Sequence, residues 1–182
     1  MTRTAVLVFG VVSALLVASS AAAQVPAQDS VTGSATTGSG RGFTAFTFDV
    51  QSGPSGENPA GTVVFDTFFG RIGPLDAVCL NVSGNRASVL LRAPANNSGI
   101  AGVAVAVEDD GPGNDRIDFH VLTVLPSNCP VPAQVFEPTV FGDVTVVDAP
   151  PLPTSKEQCK NGGWRHFPAF RNQGDCVSFV VP

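Results

Sequence analysis

The densest group of side chains that could do chemistry lies in one acidic stretch, Glu108 to Asp115, which reads EDDGPGND. Hard cations such as Ca²⁺ bind clustered carboxylate and carbonyl oxygens, and extracellular modules bind calcium only at about millimolar concentrations. Asp109, Asp110 and Asp115 are therefore candidate calcium ligands. The stretch is not an EF-hand, because strand patterns flank it and its glycine comes too early. The favoured alternative is a plain hairpin turn whose acids are solvated.

A second candidate is acid–base chemistry, which needs a titratable side chain held beside a partner. Asp118 and His120 share one face of a predicted strand, so they form half of such a constellation. The chain has no G-x-S-x-G nucleophile motif, no H-E-x-x-H zinc motif and no phosphate-binding glycine loop. We interpret the pair as a surface histidine beside a carboxylate, and we expect neither enzyme activity nor a cofactor other than calcium.

The chain has four cysteines, Cys79, Cys129, Cys159 and Cys176, an even number that predicts disulfides in an exported protein. Cys159 and Cys176 end one short segment with few apolar residues, so we expect them to bond to each other. Cys79 then pairs with Cys129. Because Cys79 is out of phase with the neighbouring core residues, this bond should cross the outer face of the sheet. The spacing does not fit a zinc site, since no two cysteines lie two to four residues apart.

A third candidate is a set of aromatic and basic side chains near the C-terminus, Trp164, Arg165, Phe167 and Phe170. Aromatic rings beside cations can bind sugars or peptides, and Trp and Arg are enriched at protein interfaces. A segment this small also needs its few aromatic rings to form a core. Both roles stay open, and the core role is favoured.

The elements that must position these residues are β-strands. Apolar residues alternate with polar ones through the middle of the chain, which is typical of strands with one buried face. Turn signals separate the strands, such as Gly84-Asn85, which tolerates the positive φ of a tight hairpin. About eight short strands predict an all-β antiparallel meander, either an up-and-down barrel or a sandwich. The strands are expected near 31–37, 46–50, 62–69, 78–82, 87–91, 103–107, 117–121 and 143–149.

Composition divides the chain into a β-domain (24–149), a proline-rich linker (150–154) and a disulfide-closed tail module (155–182). Residues 24–154 carry five Arg, no Lys and thirteen carboxylates, whereas 155–182 carry four basic and two acidic residues. This change of charge supports two modules. The net charge of −5 argues against a nucleic-acid partner.

Residues 1–23 have the order of a secretory signal peptide: one basic residue, an apolar run, and the small-residue exit Ala21-Ala22-Ala23. The run is shorter than the roughly 20 apolar residues of a membrane-spanning helix. We therefore expect cleavage, no membrane span in the mature chain, and a location outside the cell or in the cell envelope.

Two parts of the chain resemble known sequences. Residues 78–87 (VCLNVSGNRA), 107–116 (VEDDGPGNDR) and 142–149 (GDVTVVDA) resemble small β-domains of uncharacterised exported bacterial proteins. The tail, 155–180, with its two cysteines, Gly162-Gly163-Trp164 and NQGD at 172–175, resembles a C-terminal module that recurs in such proteins. The acidic loop reads DDGPG where DNGEPG-like sequences are expected. The resemblance implies a bacterial, exported β-protein and supplies no site.

These features predict a secreted, non-enzymatic binding or structural module, whose partner is an unknown protein or glycan at the cell surface. One alternative is an inhibitor or modulator of a secreted enzyme, which a protruding loop at Cys129, crossed by its disulfide, would favour. Another is a barrel that binds a small apolar ligand, which requires an open lumen lined by Phe.

Overall fold

The alternating sequence folds into eight strands in the computed structural model. The structure describes residues 28–39, 42–68, 70–95, 99–132, 135 and 137–180, so the predicted signal peptide lies outside the described residues. The strands are β1 (Asp29–Ser39), β2 (Gly42–Ser52), β3 (Ala60–Thr67), β4 (Gly70–Ser83), β5 (Arg86–Arg92), β6 (Gly102–Glu108), β7 (Arg116–Leu122) and β8 (Thr139–Val147).

The strands form one antiparallel sheet in the order β7-β6-β5-β4-β3-β2-β1-β8. Strands β1 to β6 each pair with the next strand along the chain, which leaves β7 at one edge, and β8 returns to pair with β1. The sheet curls on itself, since the ring of Phe119 in β7 lies 5.7 Å from that of Phe46 in β2 and 6.2 Å from that of Phe65 in β3. The predicted eight-stranded antiparallel meander is confirmed, and its form is a half-barrel made of one sheet.

The concave face of the half-barrel holds the hydrophobic core. In β2 the side chains of Phe46, Phe48 and Val50 are buried, while Thr47 and Asp49 between them are exposed. Each fully buried side chain of this size contributes roughly 1.5–3 kcal/mol relative to exposure. Side chains from the other strands fill the rest of the described concave face: Val31, Val63, Phe65, Leu80, Val89, Leu91, Val105, Val107, Ile117 and Val144.

Several strands are longer than their alternation indicates, among them β4 and β8. β4 begins at Gly70, well before the expected 78–82, because its first half pairs with β3 and its second half with β5. β8 begins at Thr139, and its first residues pair with the end of β1. The β4 extension forms a tight hairpin with β3, in which Thr67 is opposite Gly70, whereas the start of β8 pairs with a strand that is distant in sequence.

The tail is helical, which the sequence patterns did not predict. It consists of α1 (Lys156–Cys159), a 3₁₀ turn (Gly163–His166) and α2 (Gln173–Phe179). These elements pack on one another, and the disulfide between Cys159 and Cys176, both fully buried, joins α1 to α2.

Polar side chains at the N-termini fix where the two helices begin. The side chain of Gln158 accepts a hydrogen bond from the backbone N–H of Ser155 at 3.1 Å. The side chain of Asn172 accepts one from the N–H of Asp175 at 2.9 Å. Both bonds satisfy amides that have no partner within a first helical turn. Among the described residues, no helix is both long enough and apolar enough to span a membrane.

Candidate functional site

The acidic turn between β6 and β7 lies beside β8, along the edge that faces away from β1. Asp109 Oδ2 accepts a hydrogen bond from the N–H of Val146 at 3.0 Å, and Asp115 Oδ2 accepts one from the N–H of Val144 at 2.7 Å. Hydrogen bonds to ionised acceptors are stronger than neutral ones. The two carboxylates thus take the place of a neighbouring strand, and we call Asp109 and Asp115 the carboxylate clasp.

The same kind of contact recurs where β8 ends. Asp148 Oδ2 accepts a hydrogen bond from the N–H of Gly84, in the β4–β5 turn, at 2.6 Å. Asp29 Oδ1 accepts one from the N–H of Ala149 at 2.8 Å, and burial raises the pKa of Asp29. Side-chain carboxylates therefore fix both the edge and the end of β8.

Backbone hydrogen bonds bring the two edges of the sheet together at one point. The N–H of Ile117 in β7 donates to the C=O of Glu137 at 3.0 Å. The N–H of Thr139 in β8 donates to the C=O of Asp115 at 2.8 Å. Together with the carboxylate clasp, these bonds close the half-barrel beside the acidic turn.

Glu108 lies at the start of the turn, buried and ion-paired. Its Oε1 accepts from Nη2 of Arg86 at 2.6 Å, Nη1 of Arg116 lies 3.8 Å from its Oε2, and the N–H of Val135 donates to Oε2 at 3.3 Å. Burial alone would raise its pKa, but the hydrogen bonds from Arg86 and Val135 and the charges of both arginines outweigh burial and lower the pKa of Glu108.

Asp115 is fully buried. Burial raises its pKa, the hydrogen bond from Val144 opposes that rise, and the carboxylates of Asp109 and Asp143 add to it. Its Oδ1 has no hydrogen-bond partner among the described residues. Asp115 is therefore a structural residue that costs stability when it is ionised.

The third candidate calcium ligand, Asp110, is exposed. Its Oδ1 accepts from Nδ2 of Asn85 at 3.1 Å, and its Oδ2 lies 3.5 Å from Nη1 of Arg116. In the part of the chain that the structure describes, no three His, Cys, Asp or Glu side chains are grouped to hold a metal ion. The calcium site stays a prediction. Sequence spacing missed the clasp because its partner amides lie 29 and 37 residues further along the chain.

The structure brings Asp118 and His120 together on the convex face, as expected. His120 Nε2 lies 3.5 Å from Asp118 Oδ2, and the two side chains are 74% and 40% exposed. They border a shallow groove of about 160 Å³. Within the described residues no hydrogen bond joins His120 to Ser88, the one hydroxyl in the groove. The groove is otherwise lined by small or apolar residues: Ala104, Val105, Ala106, Pro130 and Val131.

Both disulfides join the cysteines that the sequence predicted, Cys79 to Cys129 and Cys159 to Cys176. The first holds the segment after β7 against the convex face, where Nδ2 of Asn81 also donates to the C=O of Pro130 at 3.2 Å. We call residues 123–132 the strap. Its apolar side chains Val124 and Val131 are 75% and 78% exposed.

The aromatic residues of the tail are all partly exposed. Trp164, Phe167 and Phe170 are all half-buried. The ring of Phe170 packs against that of Phe179, with centroids 5.2 Å apart. The guanidinium of Arg165, which is exposed, lies 5.5 Å from the centroid of the Trp164 ring. Phe170 and Phe179 therefore pack on each other at the surface of the tail, and the Trp164–Arg165 pair is also partly open to solvent.

No protein-family model, no curated protein and no solved structure matches the chain. The carboxylate clasp is turned toward the protein's own backbone, whereas the tail and the strap present side chains to the outside.

Proposed function

We propose that this protein is an exported, non-enzymatic binding protein, in which the half-barrel is the scaffold and the tail is the recognition element. The partner is a protein or a glycan at the cell surface. The observation that carries the proposal is the Trp164–Arg165 pair, a cation held over an indole ring on a module that a disulfide closes. Such pairs contribute about 0.5–1 kcal/mol at exposed sites and more once a partner excludes water.

The charges of the tail are available to a partner. Lys160 pairs with Glu157 at 3.1 Å. Lys156, Arg165 and Arg171 are exposed and make no ion pair within the described ranges. Because complementary charge speeds association and selects partners, the tail fits an acidic or polyhydroxylated surface better than a basic one.

Export is part of the proposal. The composition of residues 1–23 supports a signal peptide. Two disulfides suit an oxidising compartment, because the cytosol keeps thiols reduced. The resemblance of the tail to a module of exported bacterial proteins points the same way.

Binding of the full chain to intact cells tests the proposal. Replacing both Trp164 and Arg165 by Ala should weaken binding at least thirtyfold, because truncating an interface hot spot costs about 2 kcal/mol or more. Arg71→Ala is the matched control, since it removes an exposed charge from the half-barrel. Non-reducing peptide mapping should show that the Cys159–Cys176 bond is intact in the double variant. Binding by the double variant that equals that of the parent would rule out the Trp164–Arg165 pair as the recognition element.

The strap favours one second candidate, an inhibitor of a secreted enzyme. Val124 and Val131 project from a segment that a disulfide fixes to the sheet. This function would be favoured if the parent inhibited a secreted protease. Val131→Asp should then lose the inhibition, and the variant without the Trp164–Arg165 pair should keep it. A barrel that carries an apolar ligand fits less well, because core side chains fill the described concave face.

A further inference from the structure

Four large apolar side chains are exposed near one end of the half-barrel. Their exposed fractions are 63% for Phe43, 86% for Phe68, 48% for Val140 and 70% for Phe141. We call these four residues the aromatic row. Phe43 lies at the start of β2, Phe68 lies just after β3, and Val140 and Phe141 lie at the start of β8. These three strands and β1 are adjacent in the sheet, in the order β3-β2-β1-β8.

The register of β8, β1 and β2 makes the row continuous. Gly38 in β1 pairs with Phe43. A Cβ placed on Gly38 would lie 3.1 Å from Cγ2 of Val140 and 3.2 Å from Cε1 of Phe43, so both side chains cover this glycine. Phe141 pairs with Thr36, which is two residues from Gly38 and therefore on the same face of β1.

Phe68 extends the row to β3. Thr44 pairs with Thr67, so Phe68, the first residue of the turn after β3, follows Thr67 at the end of the sheet where Phe43 precedes Thr44. Strand alternation places Phe43 on the convex face, because Thr44 and Phe46 share the other face. The row thus crosses the convex face of β8, β1 and β2 and extends to the turn after β3.

The exposed apolar area of the row matches that of the largest apolar patch on a typical monomer. An aromatic side chain offers about 200 Å² of surface, so the exposed fractions amount to roughly 500 Å² over the whole row. The largest apolar patch on a typical monomer is about 300–600 Å² and is often functional. The row lies toward the upper end of this range.

We propose that a second copy of this chain covers the aromatic row, with row against row about a two-fold axis. Two rows in contact bury about 1,000 Å² in total, the lower limit for a specific interface. The row carries no formal charge, so row against row brings only apolar side chains together. An interface of this size gives a weak dimer whose population depends on concentration. This inference is independent of the proposed role of the tail.

Sedimentation velocity of the full chain over a wide concentration range tests the proposal. The parent should shift from monomer to dimer as concentration rises, and Phe43→Asp should stay monomeric up to at least tenfold higher concentration. Val131→Asp is the matched control, because it places the same charge on an exposed apolar residue of the strap, away from the row. This control should dimerise like the parent. If Phe43→Asp fails to fold, Phe141→Asp gives the same readout from another strand.

Three results would overturn the proposal. The parent could stay monomeric at every concentration, or it could dimerise equally well with Phe43→Asp or Phe141→Asp in place. The third result is a parent that stays monomeric and floats with phosphatidylcholine vesicles, with flotation abolished by Phe43→Asp. That outcome would assign the row to a lipid surface in place of a second copy.

Discussion

At the scale of single residues, Asp109 and Asp115 satisfy the outward amides of β8, a position that a neighbouring strand would otherwise fill. Exposed strand edges are templates for pairing with other chains, and proteins protect them with charge or with covering segments. The carboxylate clasp protects this edge and closes the half-barrel with the same two side chains. The acidic turn is therefore explained as a structural element.

Removing the carboxylate of Asp109 should lower the free energy of unfolding more than removing that of its neighbour Asp110. Asp109→Ala leaves the N–H groups of Val146 and Gly111 without their acceptor. We expect the free energy of unfolding to fall by about 1–3 kcal/mol in urea denaturation. Asp110→Ala removes an exposed carboxylate with its hydrogen bond from Asn85 and its ion pair with Arg116, and should change the free energy of unfolding by less, about 0.5 kcal/mol.

The same variants separate the clasp from a calcium site. If the turn bound Ca²⁺, millimolar calcium would raise the Tm of the parent by mass action, and Asp110→Ala would abolish that rise. Equal destabilisation by Asp109→Ala and Asp110→Ala would contradict the clasp.

The buried Asp115 should make stability depend on pH. Its raised pKa means that the native state keeps the proton to higher pH than the unfolded chain does. Between the ordinary and the raised pKa the native state binds more protons, so this residue lowers the free energy of unfolding as pH rises. Asp115→Asn removes the titration. In urea denaturation, the stability of the parent relative to this variant should therefore fall as pH rises above 3.8, the ordinary pKa of an Asp side chain.

The exposed carboxylate Asp66 provides the control for the pH measurement. Asp66→Asn should follow the parent at each pH. A stability difference between the parent and Asp115→Asn that grew with pH would show that the sign assigned to Asp115 is wrong.

At the scale of elements, strands could be predicted where one face is buried and the other exposed, as at Phe46, Phe48 and Val50. The sequence could not reveal the first half of β4, whose partners lie on β3, or the start of β8. The cysteine pairs followed from spacing and strand phase. The carboxylate clasp and the aromatic row could not be predicted, because each joins residues through the register of strands that are distant in sequence.

The two disulfides should stabilise different elements. The Cys79–Cys129 bond spans 50 residues and the Cys159–Cys176 bond spans 17. The chain-entropy model gives contributions of about 4 and 3 kcal/mol for such loops. Replacing Cys79 and Cys129 by Ser should destabilise the sheet, whereas replacing Cys159 and Cys176 should unfold only the tail.

Unfolding of the tail and unfolding of the sheet can be followed by separate spectroscopic signals. The chain has a single Trp and no Tyr, so Trp164 fluorescence reports on the tail while far-ultraviolet circular dichroism is dominated by the sheet. Loss of the sheet signal on replacing the tail cysteines would contradict the separation. A peptide that linked Cys79 to Cys159 in non-reducing mapping would contradict the pairing itself.

At the scale of the whole molecule, a half-barrel with a filled concave face is joined through prolines to a small helical tail of opposite charge balance. The scaffold is stabilised by its core, the carboxylate clasp and the Cys79–Cys129 bond. The tail depends on the Cys159–Cys176 bond and a few aromatic contacts. Two units that share no disulfide should unfold independently, as modules joined by a proline-rich linker commonly do.

Removal of residues 155–182 tests most directly whether the tail is the recognition element, because the half-barrel is then assayed for folding and for cell binding without it. We expect the truncated chain to keep the Tm of the sheet nearly unchanged and to lose binding to intact cells. A truncated chain that binds cells as well as the full chain would contradict the tail as recognition element. A truncated chain that is insoluble, or melts far below the full chain, would show instead that Trp164, Phe167 and Phe170 cap the main core.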